Sequence, residues 1–244
     1  MSLTDIAILA ALFFLTSIVG VVTGSNSLIT VPLMFQFGIE EKTAVATNMF
    51  GLTFMAIGGT IPFLRQGKIE AGKLKPVIVL TLIGSACGAI LVGYITGASI
   101  KLIVSIGMIA VVVFTLLRRE QVEPRKMPLI GYSAAFLLAI YGGLYSGGYV
   151  TILTAAFVAF LGMDYAESVG STKFVNVFSS SIATLVFIWQ GLVDYKLGAI
   201  LAVAMFAGAY VGAHYAAKMN EEWLKRIFLG TVVILAVKTL YDFL

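Results

Sequence analysis

Two clusters of small polar residues interrupt apolar stretches of this sequence. One spans residues 23–27 (Thr-Gly-Ser-Asn-Ser) and the other residues 145–149 (Tyr-Ser-Gly-Gly-Tyr). Glycines permit an unwound backbone, and a helix that starts after such a joint has free N–H groups and a partial positive charge at its N-terminus. Helix N-termini of this kind bind anions without a side-chain cation. The clusters therefore predict an anion site, although glycines can also simply allow helices to pack closely.

A second polar surface is predicted on an apolar helix in the latter part of the chain. Ser168, Thr172, Asn176 and Ser179 recur every three or four residues, with Ser171 beside them. This spacing places them on one side of a helix. Their hydroxyls and amide could donate hydrogen bonds to the oxygens of an anion. The alternative is that they bond to neighbouring helices within a bundle.

Lys173 is a cation placed well inside an apolar segment. It follows Glu167 by six residues, which is roughly 9 Å of helix at about 1.5 Å per residue. Charged residues at such a depth usually belong to a substrate or ion pathway. The predicted role is a contact with an anion, although a lysine stem can also snorkel to a membrane surface.

The residues needed for enzyme chemistry, metal binding or ion relays are missing from the apolar segments. The twelve acids fall in loops or at segment ends, so no carboxylate is available in mid-segment as a proton relay or sodium ligand. Cys87 is the only cysteine, and His214, the only histidine, lies near a segment end, where an interfacial position is expected. We therefore expect no enzyme activity, no catalytic residue, no metal site and no cofactor.

The composition places the chain in a lipid bilayer. Its 244 residues are 60% hydrophobic and only 11% charged, with a mean hydropathy of +1.02, whereas soluble domains carry about 25% charged residues. Backbone groups in lipid must be satisfied internally, and the continuous apolar runs favour helices over a barrel. The net charge of +4 is explained by basic loops facing the cytoplasm, and not by nucleic acid.

The sequence is predicted to contain an internal duplication with an offset of about 124 residues. The motif 20–24 matches 143–147, Gly84 and Gly88 match Gly208 and Gly212, and Met49 corresponds to Lys173. The predicted fold is therefore an all-α polytopic membrane protein with repeats at 1–120 and 121–244 in one integral membrane domain. Such a build suggests a secondary transporter with its site between the halves. The glycine pairs are expected only to allow close helix packing.

Each predicted repeat contains five apolar segments, of which the second is short. The segments are 4–23, 25–38, 43–64, 76–97 and 100–117, then 128–146, 149–163, 168–189, 197–216 and 224–243. About fourteen residues of helix reach about 21 Å, while a bilayer core is about 30 Å thick. If the short segments cross, the repeats are inverted, and if they turn back, the repeats run parallel. The distribution of Lys and Arg slightly favours inverted repeats, with both termini outside.

The ordered glycine-rich motifs resemble those of the sulfite exporter TauE/SafE family of membrane permeases. They comprise residues 20–33 with their Val-Pro-Leu, Gly38, the Ala-Val-Ala-Thr-Asn of 44–48, the loop 65–69 and the Gly84/Gly88 helix. The resemblance covers nearly the whole chain. It implies export or uptake of sulfite, organosulfonates, thiosulfate or related small anions. This chain has Ser25-Asn26-Ser27 where the family often has further glycines, so its backbone could be less open there and its preferred anion could differ.

Together with the composition, this resemblance implies a permease for a small sulfur-containing oxyanion or organosulfonate in a bacterial-type cytoplasmic (inner) membrane. A carrier for a small carboxylate and an anion channel are the alternatives. The expected partners are the small anionic substrate and the lipid bilayer, with no nucleic acid, and an exposed glycine-rich helix face could support a homodimer. The predicted substrate-binding residues are Ser25, Asn26, Ser27, Thr47, Asn48, Ser146, Ser171, Thr172, Lys173 and Asn176.

Overall fold

Over the residues that the structure describes, the chain folds into helices joined by turns and loops. The computed structural model describes residues 1–24, 26–67, 69–117, 126–215, 230–235, 237–239 and 241, and no strand occurs among them. Up to residue 215, its α-helices are α1 Leu3–Thr23, α2 Ser27–Gln36, α3 Glu41–Arg65, α4 Lys75–Tyr94, α5 Gly97–Leu117, α6 Pro128–Leu144, α7 Tyr149–Ala156, α8 Tyr165–Trp189 and α9 Tyr195–Tyr215. A π-helical turn, Phe157–Leu161, continues α7. The predicted all-α class is confirmed.

Six of these helices are long and apolar enough to cross a membrane. They are α1, α3, α4, α5, α8 and α9. Large apolar side chains such as Leu91 of α4 and Ile106 of α5 are exposed on the outside of the bundle, as lipid contact requires. The protein is therefore a multi-pass membrane protein, as its composition predicts.

The predicted short second segments are short helices in the structure. α2 has 10 residues, and α7 has 8 residues before its π-helical turn of 5. At about 1.5 Å per residue, neither covers the roughly 30 Å of a hydrocarbon core. The helix that follows each of them starts with an acidic cap. Glu40 accepts a hydrogen bond from the N–H of Thr43, and Asp164 accepts one from the N–H of Glu167, each at 2.8 Å.

Backbone conformation recurs at the predicted offset. The glycines with positive φ fall into three pairs separated by 124 residues, namely Gly24 and Gly148, Gly38 and Gly162, and Gly67 and Gly191, with φ values between 66° and 84°. The sequence comparison matched Gly24 with Gly147, but the structure gives this conformation to Gly148. Only glycine adopts it readily, so the turns of both halves depend on the same residue type. These pairs support the predicted duplication, which stays a prediction.

Glycines also allow helices of the two halves to pack closely against each other. A side chain on Gly84 or Gly88 of α4 would collide with the backbone of α6, at Phe136 and Ile140 respectively. A side chain on Gly208 or Gly212 of α9 would collide with the backbone of α1. The expectation that these glycines permit close packing is confirmed.

Helix directions favour inverted over parallel repeats. α3 and α8 run antiparallel, because Thr53 meets Thr184 (3.2 Å between Oγ1 atoms) while Phe63 lies against Gly170. In inverted repeats the third helix of each half must run in opposite directions, whereas parallel repeats would align them. α3 therefore ends, and α8 begins, at one face of the bundle, which we call the basic face because Arg65, Lys73, Lys75 and Lys126 lie in or beside its loops.

Candidate functional site

The two polar joints meet inside the bundle. Ser27 Oγ and Ser146 Oγ share a hydrogen bond of 2.7 Å, and the fully buried Tyr145 donates its hydroxyl to the carbonyl of Ser27 at 3.1 Å. Thr151 of α7 donates to the carbonyl of Thr23 at 3.0 Å. The start of α2 therefore lies beside the start of α7, as the predicted site between the halves requires.

Neither short helix has a side-chain cap at its N-terminus. The capping positions are Asn26 for α2 and Gly148 for α7, and neither makes a side-chain cap bond. An uncapped N-terminus keeps its partial positive charge and its N–H groups for another acceptor. The α2 terminus is the more relevant of the two, because Asn26 and Ser27 both line a cavity.

The central cavity lies beside the α1–α2 joint and has an empty volume of about 430 Å³. Five of the predicted site residues line it, and they are Asn26, Ser27, Ser146, Lys173 and Asn176. The remaining wall is made of glycines and apolar side chains, which are Gly20, Val21, Gly24, Leu52, Met55, Ala56, Gly59 and Val150. A largely apolar cavity with a few convergent polar groups is the usual form of a small-molecule site.

Lys173 brings a positive charge to this cavity, and no carboxylate in the described part of the chain pairs with it. Only 7% of the residue is exposed, and its Nζ donates to the carbonyl of Val21 and lies 5.8 Å from the centre of the Phe63 ring. The ion pairs found in the described part of the chain are Lys73 with Glu70 and Lys101 with Glu41, so none involves Lys173. A buried ammonium is costly unless an opposite charge compensates it. The arrangement is suited to a bound anion.

Asn26 and Asn176 add polar groups that are not fully used. Asn26 donates to Ser17 Oγ at 3.3 Å, but among the described residues its Oδ1 has no partner, and neither does Oδ1 of Asn176. Unpaired buried polar atoms are uncommon in native proteins and call for an explanation. A primary amide carries both donors and an acceptor, and rotation about its last bond exchanges them. Both side chains can thus adjust to an occupant of the cavity.

Asn48 is not one of the cavity-lining residues, but it holds Ser27, which is. Its Nδ2 donates to Ser27 Oγ at 2.9 Å, and its Oδ1 accepts from Thr30 at 2.6 Å. The corresponding pair in the second half, Thr154 and Thr172, is joined at 2.9 Å. Each bond ties a short helix to the long helix after it. Asn48 therefore fixes the direction of the Ser27 hydroxyl, while Thr172 joins α7 to α8.

Thr47, Ser171 and Thr172 are not among the residues that line the central cavity. Thr47 Oγ1 accepts the N–H of Asp194 at 3.0 Å, which ties α3 to the start of α9. Ser171 is buried but is not one of the cavity-lining residues, and neither is Thr172. Ser25 lies outside the described residues. The structure thus brings together the two joints, Lys173 and Asn176, and leaves Thr47 and Thr172 in contacts between helices.

Sequence reasoning missed the contribution of α1 and α3 to the cavity. The carbonyl of Val21 holds the Lys173 amine, and Met55 and Ala56 form part of the apolar wall. The sequence carries no signal for a main-chain contact of this kind. Tyr145 could have been noticed, because it belongs to a polar joint and has a hydroxyl that needs a partner when buried.

No group of His, Cys, Asp and Glu residues in the described ranges could hold a metal ion. The acids of those ranges lie at helix ends or in loops, and His214 is exposed in the last turn of α9. The central cavity therefore offers hydrogen-bond donors and one cation, which is the chemistry of anion binding.

The fold and the cavity define a helical membrane protein with a polar site buried between its helices. The chain belongs to the sulfite exporter TauE/SafE family, whose model matches residues 9–239. It is 26% identical over 243 residues to the probable membrane transporter protein YfcA of Escherichia coli K12, covering 96% of this chain and 90% of that protein.

Two other relatives carry the same kind of name. The chain is 26% identical to the probable membrane transporter protein ORF9 of Sinorhizobium, covering 96% and 93% of the two chains. It is 25% identical to YdhB of Bacillus subtilis, covering 96% and 99%. No solved structure matches significantly. The family membership and these relatives identify the chain as a membrane transporter and not an enzyme.

Proposed function

We propose that this protein is a secondary transporter that carries sulfite, or a related small sulfur oxyanion or organosulfonate, across the cytoplasmic membrane. The family is named for sulfite export, which supports this class of substrate. The polar wall of the central cavity supports a small anion with several acceptor oxygens, because its groups are an amine, hydroxyls and amides.

The observation that carries the proposal is the uncompensated Lys173 amine at the wall of the central cavity. It is buried, it has no carboxylate partner among the described residues, and it lines the same cavity as the N-terminus of α2. A lysine that merely snorkelled would place its charge at the membrane surface. This amine instead donates to the Val21 carbonyl, within the bundle.

The proposed binding residues offer different chemical groups to the anion. Lys173 supplies the charge, the N-terminus of α2 adds its partial positive charge, and Ser27 and Ser146 offer hydroxyls to the oxyanion. Asn176 lies one helical turn after Lys173 and offers its amide to the same ligand. The site is asymmetric, because the first-half residues at the offset of 124 are the apolar Met49 and Leu52.

Flux in proteoliposomes tests the proposal. We expect saturable uptake of sulfite, thiosulfate or sulfoacetate, which Lys173→Gln abolishes or strongly reduces. Lys73→Gln is the matched control, because it removes the same charge from an exposed residue paired with Glu70. Unsaturable flux would point to a channel, and uptake of lactate alone would favour the carboxylate carrier. Full flux in Lys173→Gln would refute the assigned binding role.

A further inference from the structure

A second cavity lies beside the central cavity, on the side where α8 begins. It has an empty volume of about 280 Å³ and lies between α1, α7 and the first turns of α8. Its lining residues are Thr23, Gly24, Val150, Thr151, Thr154, Tyr165, Val169 and Lys173. Tyr165, the first residue of α8, is 54% exposed, so this mouth cavity reaches the surface where α8 begins.

Three residues line both cavities, and they are Gly24, Val150 and Lys173. The partition between them is therefore thin, and it is built from the α1–α2 joint and the first turn of α7. The hydrogen bond from Thr151 to the Thr23 carbonyl holds this partition together. Gly24 has no side chain to fill the gap, and a Cβ there would lie 3.0 Å from Thr151 Oγ1.

We propose that the mouth cavity is the passage through which the anion moves between the basic face and the central cavity. The single Lys173 amine serves both compartments, because its residue lines both. A lysine has a long flexible stem, so its ammonium can follow an anion over a few ångströms. The inference rests on the proposed anion site. It adds the route by which the anion reaches that site and the side of the membrane from which the site fills in this conformation.

The charge distribution fits this route. Arg65, Lys73, Lys75 and Lys126 lie in or beside the loops of the basic face, and a positive surface around a cleft concentrates anions at its entrance. Asp164 and Glu167 lie near the same mouth, but Asp164 is engaged in capping α8. Inside, the wall includes three threonines, two valines and Lys173, with no carboxylate among the lining residues.

Val169 provides the most informative test position. It lies four residues before Lys173 on α8, lines the mouth cavity and is absent from the lining of the central cavity. Val169→Cys, made with Cys87→Ser, should react with a membrane-impermeant anionic thiol reagent. Reaction is expected from the same side of the proteoliposome as Gly72→Cys, a marker in the loop of the basic face with open space around it. Leu185→Cys, on the lipid-exposed side of α8, should not react.

Two further results are expected if the anion uses this passage. Saturating sulfoacetate, which unlike sulfite does not consume thiol reagents, should slow the labelling of Val169→Cys, and the anionic reagent should react about tenfold faster than a cationic reagent of the same size. Adding Lys173→Gln should remove that preference. Labelling from the opposite side, no labelling while Gly72→Cys reacts, or labelling unaffected by a bound anion would overturn the route. Sulfite binding is measured separately on the protein with native Val169. This measurement shows whether a negative labelling result reflects the absence of the central anion site or only of the proposed route.

Discussion

At the residue scale, the distribution of polar side chains on α8 explains why only some of them form the site. The predicted stripe of Ser168, Thr172, Asn176 and Ser179 is divided among different neighbours. Asn176 lines the central cavity, Thr172 bonds to Thr154 of α7, and Ser179 bonds to Ser85 of α4 at 2.7 Å. Sequence spacing predicts a shared helix face, but it does not predict which neighbour each side chain meets.

Two pairs of hydrogen-bonded serines have the same distance between their Oγ atoms, but we assign one pair to substrate binding and the other to helix packing. Ser27 pairs with Ser146 and Ser85 pairs with Ser179, both at 2.7 Å, but only the first pair lines the central cavity. We expect Ser27→Ala to weaken sulfite binding about five- to tenfold, because one hydrogen bond contributes about 1 kcal/mol. Ser85→Ala should leave the dissociation constant unchanged and reduce only thermal stability. Equal effects of the two changes on sulfite affinity would contradict this assignment.

At the element scale, the short helices are the feature that the sequence predicted best. The joints at 23–27 and 145–149 are found where the polar residues indicated them.

The long helix α8 starts three residues earlier than the sequence predicts, because the predicted segment is 168–189 and the helix is Tyr165–Trp189. The start of α8 is set by Asp164, whose side chain caps it. The predicted segment began later because Glu167 interrupts the apolar pattern, although an acidic residue in a first turn favours a helix.

Close packing of α4 against α6 depends on Gly88. A Cβ at this position would collide with the carbonyl oxygen of Ile140 and lie 2.8 Å from the amide nitrogen of Leu144. We expect Gly88→Ala to destabilise the protein by about 1–3 kcal/mol, because the two helix backbones must separate. Thermal unfolding in detergent would measure the loss. Gly72→Ala is the control, since no heavy atom lies within 4 Å of a Cβ there, and an equal loss in both variants would rule out the packing explanation.

At the scale of the whole molecule, the antiparallel α3 and α8 support inverted repeats, but the composition alone left both arrangements open. Lys and Arg counts report only which loops share a side, and the few cations of this chain gave a weak preference. Contacts between distant helices supply the missing information. The predicted homodimer gains no support from the glycine pairs, because α4 and α9 use them for packing within the chain.

Lys196 distinguishes the two arrangements of the repeats. In the inverted arrangement it lies on the opposite side of the membrane from the loop that contains Gly72, whereas parallel repeats place both on one side. We expect Lys196→Cys and Gly72→Cys, each combined with Cys87→Ser, to be labelled from opposite sides of the membrane. Lys196 is exposed, and no heavy atom lies within 4 Å of a Cβ built at Gly72, so access of the reagent does not limit the reaction. Labelling of both from one side would exclude the inverted arrangement.

The most direct test of the proposed anion site is calorimetric binding of sulfite to the purified protein, compared between the wild type and Lys173→Gln. A charge-assisted hydrogen bond contributes about 1.5–3 kcal/mol, so the dissociation constant should rise about 10- to 100-fold in the variant. Lys73→Gln should bind as the wild type does. An unchanged dissociation constant in Lys173→Gln would contradict the proposal that the buried amine holds the transported anion.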